Sequence, residues 1–177
     1  MKIKFNIILL LFTIFLCCNN KTTAQNNRMV KSKSYNLLLK KLLKHDVPEI
    51  DVDRLDKIRN SVLLLDAREL EEFNVSHLSN AKFVGYKTFD IASLQHTNKD
   101  NPIVVYCSVG YRSEKITEKL INAGFTNVHN LYGGIFEWKN KNLDVYDANG
   151  VTNNVHPYSN KWGIWLKNAD KVYKSPE

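Results

Sequence analysis

From about residue 48 onward, short continuous apolar runs alternate with segments of helical periodicity. "SVLLLDAR" is one such run, ended by charge, and "IVVYC", opened by Pro102, is another. Continuous rather than alternating hydrophobicity marks a strand covered on both faces. "PEIDVDRLDKIRN" reads as a short strand leading, through Asp51 or Asp53 as cap, into a helix. "ELEEFNV" suits one or two helical turns, and "AKFVGY" suits a further strand. "SEKITEKLINAG" places Ile116, Leu120 and Ile121 on one stripe and stops at Gly124. "FTNVHNLYG" returns to strand and "GGIFEWKNK" to helix. The alternation from about Ile50 to Lys141 predicts an α/β domain over residues 48–142, its central sheet mainly parallel and flanked by helices on both faces.

The chain ends break this pattern. Lys2 and Lys4 precede an apolar run from Ile7 to Cys18 interrupted only by Thr13. That run is shorter than the ~20 residues of a comfortable membrane span and has the layout of a secretory signal. Residues 1–24 are therefore read as a signal with two processing routes: cleavage after Ala24, or lipid attachment at Cys17 or Cys18; an uncleaved membrane anchor is the alternative to both. The second resembles a bacterial lipoprotein signal, although Phe15 and Leu16 stand where small residues usually precede the lipidated cysteine. Both routes imply export, to a periplasm or to a membrane through an N-terminal anchor. Residues 25–47 combine a polar tether with an amphipathic helix in "KSKSYNLLLKKLLKH". Such a helix either lies on an anionic membrane surface or packs on its own domain. Residues 143–177, with the aromatic "VHPYSNKWGIWLK", are expected to pack back on the domain.

Composition sharpens this reading in two places. The formal charge of +7 includes Lys2 and Lys4 and is otherwise dispersed except for the basic segment "KSKSYNLLLKKLLKH", with no aromatic-interleaved basic stripe of the kind that binds nucleic acid. Three cysteines are present, and two of them belong to the signal. The exported domain then holds Cys107 alone, which excludes an internal disulfide and leaves a candidate reactive thiol.

Cys107 follows a buried strand and precedes a helix, the place where ligands bind in a parallel sheet. The loop "CSVGYRS" can curl the amides of Ser108 to Ser113 towards the sulfur, aided by the helix dipole and Arg112. Gly110 supplies the conformation a tight curl needs. The loop residues Ser108, Val109, Gly110, Tyr111, Arg112 and Ser113 are therefore the candidate substrate-binding set, with Cys107 as nucleophile.

Three separated pieces in the right order resemble the rhodanese family of sulfurtransferases. They are "LLLDARELEEFNVSHLSNAKFV", with Asp66, Arg68, Glu72, Phe73, His77 and Ala81; "IVVYCSVGYRS"; and "VHNLYGGIFEW", with Trp138. Ser76 and Asn80 replace common glycines, and Ser108 and Val109 replace the residues usual after the cysteine, where a second cation is frequent. The resemblance implies transfer of sulfane sulfur from a small anionic donor such as thiosulfate, or from a persulfide, to a thiol or cyanide through a Cys107 persulfide, with no metal and no cofactor. The acceptor thiol is a small molecule or a protein. It also places His77 in a structural segment. Asp66 and Arg68 are expected to form a buried or half-buried pair near the sheet's end, and Arg68 is also a candidate substrate contact, since arginine suits anion recognition.

Three other classes stand beside this one. A phosphatase of the same fold needs a loop longer by one residue, whereas four residues separate Cys107 from Arg112. A non-catalytic binding module would usually lack the cysteine. A persulfide carrier or redox relay would look the same in sequence.

Overall fold

The computed structural model describes residues 30–174; the expected signal over residues 1–24, with Cys17 and Cys18, lies outside them. The apolar runs form strands β1 (Glu49–Ile50), β2 (Leu63–Asp66), β3 (Lys82–Phe83), β4 (Ile103–Tyr106) and β5 (Val128–Leu131). These make a five-stranded sheet in the order β1-β5-β4-β2-β3, and every pairing is parallel. Successive side chains of a strand point to opposite faces. Leu64, Val104 and Tyr106 thus enter one apolar layer, and Leu65, Ile103 and Val105 enter the other. That is why these strands read as unbroken apolar runs.

Helices cover both faces. On one, α1 (Lys33–Leu42), α2 (Val52–Ile58) and α5 (Gly134–Asn140) contribute Tyr35, Leu39, Leu55 and Phe136 to the larger core. On the other, α4 (Tyr111–Asn122) contributes Ile116 and Leu120. The short α3 (Leu70–Val75) lies between β2 and β3 in the chain. Asp51 rather than Asp53 caps α2, its side chain accepting from the Arg54 amide at 2.9 Å. Asp53 instead receives the Lys141 ammonium at 2.6 Å.

The amphipathic helix α1 lays its apolar face on the domain: Tyr35, Leu39 and Leu43 are buried. Its Tyr35 hydroxyl donates to the Gly133 carbonyl at 2.9 Å. Just beyond the helix, the amides of Lys44 and His45 donate to the Glu114 carboxylate at 2.9 and 3.0 Å. Among the described residues no helix is long and apolar enough to cross a membrane.

The C-terminal segment contains structure that the alternation does not foreshadow. An antiparallel hairpin, β6 (Val145–Asp147) and β7 (Gly150–Thr152), is followed by β8 (Asn154–Val155), α6 (Asn160–Gly163) and β9 (Asp170–Lys171), with β8 and β9 parallel. The segment lies on the domain. Trp165 stacks on Tyr35 with ring centroids 5.5 Å apart, Leu166 is fully buried, and the Ser76 hydroxyl donates to the Asn154 carbonyl at 2.6 Å.

Candidate active site

The chain leaves β2 towards β3 on one side and, after β4, turns to β5 on the other. The strand order reverses between β2 and β4, which opens a crevice beyond their carboxyl ends. Cys107 is the first residue after β4 and faces that crevice, its thiol free.

Gly110 sits at φ +115°, and its N–H donates to Cys107 Sγ at 3.1 Å. A side chain here would be strained by the backbone and would also meet Leu131 O at 3.4 Å and Leu43 Cδ1 at 3.5 Å. Ser113 Oγ lies 3.5 Å from the sulfur, but a hydroxyl has one proton to give. That proton goes to Asn130 Oδ1 at 2.6 Å, while Asn130 Nδ2 donates to the Gly110 carbonyl at 3.1 Å. Asn130 therefore ties the curl to β5 at two points. Of the amides expected to gather round the sulfur, Gly110 donates to Sγ itself; the α4 dipole lies directly behind it.

The far side of the loop is closed by the start of α5. The amides of Ile135 and Phe136 donate to the carbonyls of Cys107 and Ser108 at 2.9 and 3.1 Å. Such an approach requires Gly134, at φ +56°, where a Cβ would stand 2.4 Å from Cys107 O and 2.6 Å from Ser108 O. These carbonyls are thus engaged by α5, while the Gly110 N–H is the main-chain donor bonded to the sulfur among the described residues.

Arg112 is bound rather than free. Its Nη1 donates to Glu72 Oε2 at 2.6 Å, and its Nη2 donates to Glu72 Oε1 at 2.8 Å and to Ser108 Oγ at 2.9 Å. Ser108 in turn donates to Glu72 Oε1 at 2.8 Å. Burial alone would raise the Glu72 carboxyl, but the Arg112 bonds and the Arg112 and Arg68 charges outweigh it and hold the group below the ordinary carboxylate value. Burial likewise works against the Arg112 charge, and Glu72 with the Cys107 sulfur reverses this, so the guanidinium is held firmly protonated. Glu72 is itself aimed by the start of α3, where it and Glu69 form a reciprocal capping box. The guanidinium also lies 4.9 Å from the ring centroid of Tyr158.

Ser108, Val109, Tyr111 and Arg112 line, with Cys107, an open cleft of about 320 Å³; Gly110 and Ser113 shape the curl behind it. Arg68 is fully buried, as its expected pairing with Asp66 requires, and the alternative of a substrate contact is not met. It forms a salt bridge with Asp66 at 2.7 Å and donates to the Ser76 carbonyl at 2.6 Å. Its role is to join the end of β2 to the turn after α3, and it does not line the cleft. His77 stacks on Phe73, with ring centroids 4.0 Å apart, and exchanges main-chain bonds with Tyr146, each 2.8 Å. Trp138 is core, with its indole donating to the Asp144 carbonyl at 2.9 Å.

Sequence reasoning passed over the tie made by Asn130, the grip of Glu72, and the contribution of Tyr158 and Trp162 to the cleft. Asn130 carried a weak signal, being a second polar residue, beside His129, in a four-residue strand bounded by Val128 and Leu131. The two aromatics carried none, because nothing in their spacing points to a loop fifty residues upstream. No group of three or more histidine, cysteine, aspartate or glutamate side chains suited to a metal occurs among the described residues.

A parallel five-stranded α/β sheet with a cysteine loop at its switch point defines the class. The rhodanese-like domain pattern matches residues 51–141, more than half of the chain, and the protein belongs to that family. A tRNA uridine(34) hydroxylase of Photorhabdus laumondii is 38% identical over 84 residues, 45% of this chain and 24% of that protein. The chain thus spans well under half the length of such curated relatives. Among solved structures, the rhodanese-like domain of an Anabaena protein superposes with a TM-score of 0.53 at 22% identity, covering 56% of this chain and 79% of that one. A thiosulfate sulfurtransferase from Pseudomonas aeruginosa gives a TM-score of 0.54 at 20% identity, covering 67% of this chain and 23% of the other. These two likenesses show the fold.

Proposed function

We propose that the protein is a sulfurtransferase in which Cys107 carries sulfane sulfur. In the first half-reaction the Cys107 thiolate attacks the outer sulfur of a persulfide or thiosulfate-like donor. The donor's S–S bond breaks, its electron pair leaves with the sulfite or thiolate, and a Cys107 persulfide remains. In the second, a thiol or cyanide takes that sulfur. The observation that carries this reading is the Gly110 amide 3.1 Å from Cys107 Sγ at the floor of an open cleft. A preorganised donor at the reacting atom stabilises the negative charge that moves through it.

The spacing of Cys107 and Arg112 favours sulfur over phosphate, because four intervening residues make a cradle for one added atom rather than for a phosphoryl group. The retained thiol, ordered in the loop, argues against a binding module without chemistry. A carrier that hands its sulfur to another protein uses the same first half-reaction and differs in failing to turn over with small acceptors. Export, with or without a lipid, rests on residues 1–24 and is part of the same proposal.

Intact mass of the purified natural protein, before and after incubation with thiosulfate or a small persulfide, tests all of this. A mass gain of one sulfur, lost on addition of cyanide, is the expected result. Absence of any gain with every donor overturns the reading.

A further inference from the structure

The walls of the cleft above Cys107 come from outside the cysteine loop. Leu42 is supplied by the end of α1, Tyr86 by the segment after β3, and Tyr158 and Trp162 by the C-terminal segment. Together with Tyr111 these give the cleft an aromatic and aliphatic rim. Its volume of about 320 Å³ lies at the small end of sites that enclose an organic molecule and is far larger than a donor anion of a few atoms requires.

Tyr158 is held in place deliberately. Its φ is +65°, a left-handed conformation that a bulky side chain rarely adopts. Its N–H donates to His156 Nδ1 at 3.1 Å. The imidazole therefore carries its proton on Nε2, which donates to the Tyr173 carbonyl at 3.2 Å. Trp162 is fixed separately, partly packed against the larger core.

The charges on the cleft are sparse. Arg112 is spent on Glu72. Of the lining residues, Lys87 is the cation without a carboxylate partner among the described residues, and Glu69 is the carboxylate that lines the same cleft. A dianionic acceptor large enough to fill the cleft would have to shed water against its apolar walls with one lysine in compensation, whereas a donor of a few atoms need not press on those walls.

We infer that the acceptor in the second half-reaction is a small organic thiol with an aromatic or branched apolar body and at most one negative charge, seated against Tyr158 and Trp162. This rests on the sulfur-transfer reading of Cys107. The acceptor thiolate attacks the outer sulfur of the Cys107 persulfide. A new S–S bond forms on the acceptor, the bond to Cys107 Sγ breaks, and its electron pair stays on Sγ as thiolate. The acceptor sulfur is oxidised to the persulfide level as Cys107 returns to the thiol level, so no further oxidant is needed. The apolar body lies along the aromatic wall and excludes water from the exchange.

The test uses the chain charged with sulfur from inorganic polysulfide. Discharge is followed by intact mass with two alkyl thiols of similar basicity, phenylmethanethiol and 2-mercaptoethanesulfonate. Each rate is divided by that thiol's rate with a small persulfide in free solution. The corrected ratio should favour phenylmethanethiol about 10-fold, the return from burying one side-chain-sized apolar group. Trp162→Ala should bring the ratio to within about threefold of unity. Lys87→Gln, at an exposed position that leaves the fold alone, should raise it by slowing the sulfonate. A ratio at or below one in the unaltered protein overturns the inference while leaving the sulfur-transfer reading intact; so does a ratio unmoved in both variants. A chain that accepts no sulfur at all overturns the sulfur-transfer reading and this inference with it.

Discussion

Glu72 holds Arg112 with both carboxylate oxygens, at 2.6 and 2.8 Å, from a position only 2% exposed. The arginine of the cysteine loop is thereby locked to α3, and its charge reaches the sulfur as a fixed field rather than as a mobile hand. Glu72→Gln keeps the shape and removes the charge, leaving a half-buried guanidinium unpaired. Loss of about 3 kcal/mol is expected in chemical denaturation. Because the Glu72 carboxyl is held below its ordinary value, its stabilisation is present above the unfolded carboxylate pKa of ~4.3 and disappears as pH falls through the lower folded value. The gap between the natural protein and Glu72→Gln should therefore be widest near neutrality and close in acid. A gap independent of pH would contradict the ion pair.

Gly134 and Gly124 separate crowding from backbone strain. Both have positive φ, +56° and +87°, but a Cβ at Gly134 meets two loop carbonyls while one at Gly124 meets nothing within 4 Å. Gly124→Ala should cost about 1–2 kcal/mol, the strain of an L side chain in the left-handed region, and leave sulfur transfer unchanged. Gly134→Ala must push α5 off the Cys107 and Ser108 carbonyls, so it should cost several times as much and slow transfer by ~10-fold or more, in line with a misplaced donor. Similar activities in the two variants would show that the loop does not depend on that contact.

Cys107→Ser should abolish both sulfur loading and turnover, measured by intact mass and by thiocyanate release from cyanide. No other cysteine among the described residues could take over. Retained turnover in the purified variant would sink the persulfide mechanism.

Inserting one glycine after Gly110 lengthens the loop to the size that phosphoryl chemistry needs. The Gly110 amide and Arg112 can then no longer keep their registers on the sulfur and on Glu72 at once. Transfer from thiosulfate or a persulfide should fall ~10²-fold, the usual effect of losing one donor to the reacting charge. Ready hydrolysis of aryl phosphates by the unaltered protein, without any sulfur transfer, would reverse the assignment.

Much of this architecture was legible because it rests on burial. Strands covered on both faces must be apolar throughout, as Leu63 to Leu65 and Ile103 to Val105 are, and a cysteine placed after such a strand falls at the mouth of the sheet. The cysteine loop could be read because its turn demands Gly110 and its neighbours are local. The pairing of Arg68 with Asp66 was legible too; whether that arginine also reaches a substrate was not, because a paired arginine at a sheet end looks the same in sequence whether or not it borders a cleft. The position of Ser76, whose carbonyl receives the second guanidinium bond, decides the matter and is a tertiary fact. Tyr158 and Trp162 were hidden for the same reason: their place over Cys107 depends on how β6 to β9 fold back, and short edge pairings of two or three residues leave little periodicity to detect.

The stack of Tyr35 on Trp165 joins nearly the two extremes of the described chain. Contacts of such separation cost the most chain entropy to close and are made late, after the local strand–helix units have formed. The α/β core should therefore assemble first and the two ends clasp over it last. In hydrogen exchange, the amides of α1 and of residues 160–172 should open together, at a lower free energy than those of β2, β4 and β5. A cleft whose rim draws on both closing ends is then finished only at the last step of folding, so the wall proposed to choose an acceptor is in place later than the cysteine loop beneath it.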